Sequence, residues 1–193
     1  MVDPRAGHID GNGWFTSPAT SYLPDAVVSF EFDAKYEESD SVPAGQTKVR
    51  TVAWEFHSTE YEWMVVSDNG CAKLKGSGAM VKTFGAEPHG RPEFGFLLTI
   101  CENEYGDSRL RKIAPKQDRQ SLDSIRIHIW SLVNGKIIYD NHKNHYDGAD
   151  AHHSFDHGTV LGGGKIEIHR PKNDGAGPGS ETEGGYGSFG DGW

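Results

Sequence analysis

Five histidines crowd one short stretch of this chain. His142, His145, His152, His153 and His157 stand among Asp147, Asp150 and Asp156 within DNHKNHYDGADAHHSFDHGT, residues 140–159. Imidazole nitrogens and carboxylate oxygens are ligands of first-row divalent metals such as zinc. His142, His145, His152, His153, His157, Asp147 and Asp150 are therefore a candidate metal group. The spacing matches no established zinc signature, since HExxH does not occur and no cysteine joins the cluster. The reading favoured over a metal group is a solvated polar loop.

Calcium is the second ionic candidate. Oxygen-rich turns are expected at Asp10-Gly11-Asn12-Gly13, Asp68-Asn69-Gly70 and Asp147-Gly148-Ala149-Asp150. Calcium takes its six to eight oxygens from such segments, yet none has EF-hand spacing, and Asp, Asn and Gly favour tight turns without any ion. Acid–base chemistry needs two carboxylates facing each other across a cleft. Glu31 with Asp33, and Glu60 with Glu62, alternate along strands instead, as an outward polar face would. His57, Ser58 and Glu60 lack a nucleophile elbow. No catalytic residue is assigned.

Aromatic side chains suit binding better. Trp14, Trp54, Trp63 and Trp130 are candidates for core packing or for stacking on a sugar or protein. Trp14 and Trp130 are the preferred surface candidates, together with Tyr186, Phe189 and Trp193 of the C-terminal segment.

These groups must be positioned by strands. In AVVSFEFDAKY, Val28, Phe30, Phe32, Ala34 and Tyr36 fall on one face, and Ser29, Glu31, Asp33 and Lys35 on the other. Period-two alternation recurs in EFGFLLTIC, with Phe94, Phe96, Leu98 and Ile100, and in LDSIRIHIW, with Ile125, Ile127 and Ile129 opposite Trp130. The same pattern puts Val52, Trp54 and Phe56 on one face, and Tyr61, Trp63 and Val65 on one face. With GHIDGNGWFTS, CAKLKGSGAMVK, GKIIYDN and GGGKIEIHR this predicts about nine strands, punctuated by Gly, Pro, Asn and Asp. No segment holds helical spacing. The predicted fold is an all-β, antiparallel, jelly-roll-like β-sandwich over residues 1–170. Residues 171–193, with almost no aliphatic side chains, form a glycine-rich tail unable to bury a core of its own.

If CAKLKGSGAMVK and EFGFLLTIC form a hairpin about their midpoint, Cys71 falls opposite Cys101. Facing residues at ~4.5 Å between Cα atoms are compatible with a disulfide; two buried free thiols are the alternative. A bridge implies an oxidising compartment.

The formal charge of −9 leaves no basic stripe for nucleic acid. No apolar run is long enough to insert in a membrane as a helix. The N-terminal MVDPRAGHIDGNG lacks the basic-then-apolar pattern of a secretory signal.

KLKGSGAMVK, EFGFLLTICE, FHSTEYEWMVV, IWSLVNGKIIYDN and LGGGKIEIHR together resemble the β-sandwich domain of the post-choice-of-anchor type, found in bacterial secreted and surface proteins. The resemblance runs from about Gly11 to Arg170, with RLRKIAPKQDRQ and the histidine-rich loop as insertions. It implies a secreted or surface structural or binding module, with protein or glycan partners and no catalytic residues. Self-assembly through the tail is one expectation. The others are a metal-dependent enzyme using the histidine-rich loop 142–157 and a carbohydrate-binding module, and calcium or zinc is the divalent cation expected if one is bound.

Overall fold

The computed structural model describes residues 7–37, 40–67, 70–82, 93–102, 123–142 and 158–169. They contain ten strands: β1 His8–Thr16, β2 Val27–Lys35, β3 Ala44–Arg50, β4 Trp54–Val66, β5 Cys71–Lys82, β6 Phe94–Cys101, β7 Ser124–Ser131, β8 Ile137–Asp140, β9 Thr159–Val160 and β10 Gly163–His169. All pairings are antiparallel, and the sheet runs β10-β1-β2-β3-β4-β5-β6-β7-β8, with β9 also on β7. The chain is thus all-β. Where the strand pattern suggests a sandwich or jelly roll, the strands join one continuous sheet that curls into a half-barrel. From β1 to β8 each strand pairs with its sequence neighbour, and such a meander extends a single sheet. Among the described residues, no helix is long and apolar enough to cross a membrane.

The concave side of the curl holds the core. Val28, Phe30, Phe32 and Ala34 of β2, Phe56 of β4, Leu74 of β5, Phe96, Leu98 and Ile100 of β6, and Ile125, Ile127 and Ile129 of β7 are all buried. Each of these side chains larger than alanine contributes roughly 1.5–3 kcal/mol by leaving water, and the rings interlock: Phe30 stacks on Phe32, and Phe56 meets Phe96 edge-on at 5.3 Å. On β1 the inward positions between Ile9 and Phe15 are Gly11 and Gly13. A Cβ on Gly11 would stand 2.7 Å from Cζ of Phe32, so glycine lets the phenylalanine rings lie flat on the β1 backbone. Asp10–Gly13 is therefore extended strand, not the turn expected from its composition.

Two further expectations change. KVRTVAWEF is not one strand but a hairpin, because Thr51 turns the chain: its Oγ1 accepts from the amides of Ala53 and Trp54. Val52 is left 77% exposed at the turn, while Trp54 and Phe56 are buried. Along β4, register shifts between Ser58 and Glu60 and between Tyr61 and Trp63 break simple alternation. Tyr61 and Met64 become the buried residues, with Trp63 and Val65 half-buried.

β3 and β4 pair only over Lys48–Arg50. Beyond that, side chains bridge the gap. Ser58 Oγ accepts the Thr47 amide, Tyr61 donates to the Asp33 carbonyl, and the Tyr36 hydroxyl both accepts from the Met64 amide and donates to its carbonyl. A similar device completes the edge of β7 between β8 and β9. There Asn141 accepts the Ile127 amide and donates to the Ile125 carbonyl. At the other end of the sheet, the amides of Ile166 and Ile168 on the outer edge of β10 donate to the carboxylates of Asp123 and Glu102, each at 3.0 Å. Asp123 precedes β7 and Glu102 follows β6, so the curl brings the last strand back to them and carboxylates satisfy its edge.

Candidate functional site

The two ends of the sheet differ on their convex side. Behind β5, β6 and β7 the outward row Lys73–Thr99–Arg126 is buried, with no side chain more than 3% exposed. Over β10, β1, β2 and β3 the outward residues meet solvent. This open face is where the described residues can meet a ligand.

The strand register orders that face into rows. One row runs Lys165, Asn12, Glu31, Lys48; the next runs Gly163, Trp14, Ser29, Arg50. Between them lies a shallow concavity of about 240 Å³ lined by Asn12, Ser29, Phe30, Glu31, Lys48 and Arg50. At its margin Trp14 is 44% exposed. Its indole rests on Gly162 and Gly163, where any Cβ would collide with the ring, at 2.3 Å for Gly162. One side of the indole is backed by backbone.

Glu55 of β4 anchors the opposite margin. Arg50 donates to it through Nε, Lys48 Nζ lies 3.1 Å away and His57 Nε2 2.6 Å away. The hydrogen bond from Arg50 is the largest influence holding this carboxyl down to about 2. The cationic end of the concavity is thereby fixed in place.

A second cluster occupies the other end of the face. His8 and His169 stand opposite each other across β1 and β10, and their rings stack with centroids 5.0 Å apart. His8 Nε2 lies 2.9 Å from Asp33 Oδ2 and 3.8 Å from Asp10 Oδ1, while His169 Nε2 lies 3.0 Å from the same Asp10 oxygen. Strands from the two ends of the described chain bring these groups together. No local spacing announces them. The available signal was the outward parity of His8, Asp10 and Asp33, which becomes informative once β10 is known to pair with β1.

The sequence-derived candidates fare differently. Of the metal group, His142 follows β8, where its amide donates to Asp140 Oδ1 and its carbonyl accepts from Arg126. His145, His152, His153, His157, Asp147, Asp150 and Asp156 lie outside the described residues, as do Asp68, Asn69, Tyr186, Phe189 and Trp193. Cys71 and Cys101 face each other across β5 and β6 and are joined by a disulfide. Trp130 is half-buried on the convex side, over Gly95 and tilted against His128 at 5.1 Å, so it is less open than Trp14. Trp54 belongs to the core, edge-on to Tyr139. Glu31 and Asp33 share the open face, whereas His57 Nε2 lies against Glu55 and Ser58 Oγ accepts the Thr47 amide.

Sequence reasoning also missed the interior ion pair. Arg126 reaches Asp140 with Nε at 3.1 Å and Nη2 at 3.0 Å, in a place where both side chains are nearly inaccessible. Tyr61 and Tyr139 are pushed up to about 12 by burial, with their hydroxyls hydrogen-bonded to Thr47 and Ser17.

Comparison with known proteins gives no relative: no family model, curated protein or solved structure matches this chain.

Proposed function

We propose that this chain is a non-catalytic binding module that takes a carbohydrate on the open face of β10, β1, β2 and β3. The observation that carries the reading is the exposed, glycine-backed Trp14 beside a concavity of hydrogen-bonding side chains. A sugar ring offers a flat C–H face and a rim of hydroxyls. An indole complements the first; the amide of Asn12, the hydroxyl of Ser29, the carboxylate of Glu31 and the cations of Lys48 and Arg50 complement the second. Most of these groups stand on paired strands, so little ordering cost falls on binding.

The strongly shifted groups among the described residues support a binding role over a catalytic one. Glu55, Tyr61 and Tyr139 each owe their shift to burial or to a contact that holds the sheet together. The Cys71–Cys101 disulfide supports an oxidising compartment, hence secretion or surface display. The motif resemblance to the post-choice-of-anchor type favours the same setting.

A glycan array probed with the full chain tests the reading, with Trp14→Ala and Arg50→Ala beside it. Retention of one glycan class is expected, weakened at least ~10-fold in both variants, which corresponds to about 1.4 kcal/mol. An array with no retained glycan, or variants that bind like the parent, would sink it.

A further inference from the structure

We propose that His8, Asp10, Asp33 and His169 form a binding site for a divalent cation of the zinc, nickel or copper class, which staples β1 to its neighbours β2 and β10. The site uses none of the histidines of the histidine-rich loop, and it does not depend on the carbohydrate reading.

The first ground is convergence of donor atoms. One ligand atom each from His8, Asp10 and His169 lies within 4.8 Å of the others. Asp33 Oδ2 lies outside that mutually close trio but comes within 2.9 Å of His8 Nε2, so it is the fourth ligand that has to rotate inward. In a tetrahedral site with metal–ligand bonds of roughly 2.0–2.1 Å, neighbouring ligand atoms are about 3.4 Å apart. The measured separations of 2.9, 3.0 and 3.8 Å bracket that edge. Small side-chain rotations at an exposed surface suffice to admit an ion.

The second ground is independent of these distances and comes from the ladder. Asp10 sits directly opposite Asp33 on β2 and opposite Glu167 on β10, while His8 sits opposite His169. Acid therefore faces acid and imidazole faces imidazole. Like charges in facing positions destabilise a sheet, and here the diagonal His8–Asp33 and His169–Asp10 contacts offset that cost. A shared cation between the rows turns the acid pairing into ligation. Lys35 faces His8 from β2, and the Lys165–Glu167 ion pair completes the surroundings.

The ligand set selects the metal class. Two imidazoles with two carboxylates suit borderline first-row ions, whereas calcium prefers an all-oxygen shell. The ion would tie together three strands, including β10, whose other edge is held by carboxylate side chains. Binding to the folded chain alone raises its melting temperature by mass action.

The test uses the full chain, purified without a histidine tag, and zinc alone as the probe. So that any zinc taken by the loop histidines is counted apart, the parent is compared with the loop variant His145→Ala/His152→Ala/His153→Ala/His157→Ala. In that variant, calorimetry is expected to find one zinc equivalent and a zinc-dependent rise in melting temperature. Adding His169→Ala is expected to weaken zinc at least tenfold and abolish the rise, and Asp33→Asn to weaken it less. Cobalt is expected to give ligand-field absorption that disappears with His169→Ala, while excess calcium leaves the zinc titration unchanged. His169 is solvent-facing, so melting without metal verifies that the variant folds. Asp33→Asn together with His8→Ala provides the decision if it does not. Zinc binding that survives both His8→Ala and His169→Ala, or that vanishes in the loop variant alone, overturns the proposal.

Discussion

Removing the Asp140 carboxylate tests whether the convex side of β5–β7 is held by its interior ion pair. Arg126 and Asp140 are 2% and 5% exposed, and the guanidinium donates two near-parallel hydrogen bonds to the carboxylate. Asp140 also accepts the His142 amide at 2.8 Å. In Asp140→Ala the guanidinium keeps its desolvation but loses this counter-charge, a change that typically costs about 3–5 kcal/mol. For a chain of this length that corresponds to a fall in melting temperature of roughly 10 °C. Urea unfolding is the direct assay, and a lower midpoint with an unchanged m-value identifies a stability effect rather than a more open native state. Arg126→Met/Asp140→Leu is expected to recover more than half of the loss, because well-packed apolar groups do as well as many buried ion pairs. A loss below about 1 kcal/mol in Asp140→Ala would refute the reasoning, since that is the range of an exposed pair.

Two further outcomes follow from the surface clamp and the disulfide. The folded pKa of Glu55 is depressed to about 2 from an ordinary 4.5, so its contribution is present above about pH 4.5 and lost as pH falls through 2. Its partners Lys48 and Arg50 are 39% and 55% exposed, which limits the contribution to about 1 kcal/mol. Glu55→Gln is expected to be less stable than the parent at neutral pH, with urea midpoints that converge between pH 4.5 and 2; a gap that persists at pH 2 would count against the clamp. Cys71→Ser/Cys101→Ser opens a link across a sequence separation of 30. Loop entropy puts its value at about 3–4 kcal/mol, measurable as a matching drop in thermal stability of the parent on reduction.

Much of the fold was legible because one physical signal dominated it. The alternation in VVSFEFDAK survives as a buried and an exposed face, the inward rows of FGFLLTIC and SIRIHIWS join the core although their outward rows are largely buried too, and hairpin symmetry places Cys71 against Cys101. What failed to read were places where side chains replace ladder bonds. The Thr51 turn, the β4 register shifts, the β3–β4 gap bridged by Tyr36 and Tyr61, and the Asn141 and Asp123 bonds to strand edges have no periodic signature. Nor does a buried arginine: Arg126 occupies an outward position, and its burial belongs to tertiary structure. The open-face sites were hidden for a related reason. Trp14 was a candidate by type, but its backing by Gly162 and Gly163 depends on β10 pairing with β1 across most of the described chain. The histidine–aspartate cluster depends on the same long-range pairing. A histidine count pointed elsewhere, to the loop.

The claim that the face of β10, β1, β2 and β3 is the binding face is tested most directly by NMR of the isotope-labelled full chain, titrated with the glycan that the array retains. The expected result is saturable shifts of the Trp14 indole N–H and of the Asn12, Glu31 and Arg50 amides, with the Trp130 indole unmoved. Shifts centred on Trp130 and the β5–β7 side, with Trp14 unmoved, would contradict it.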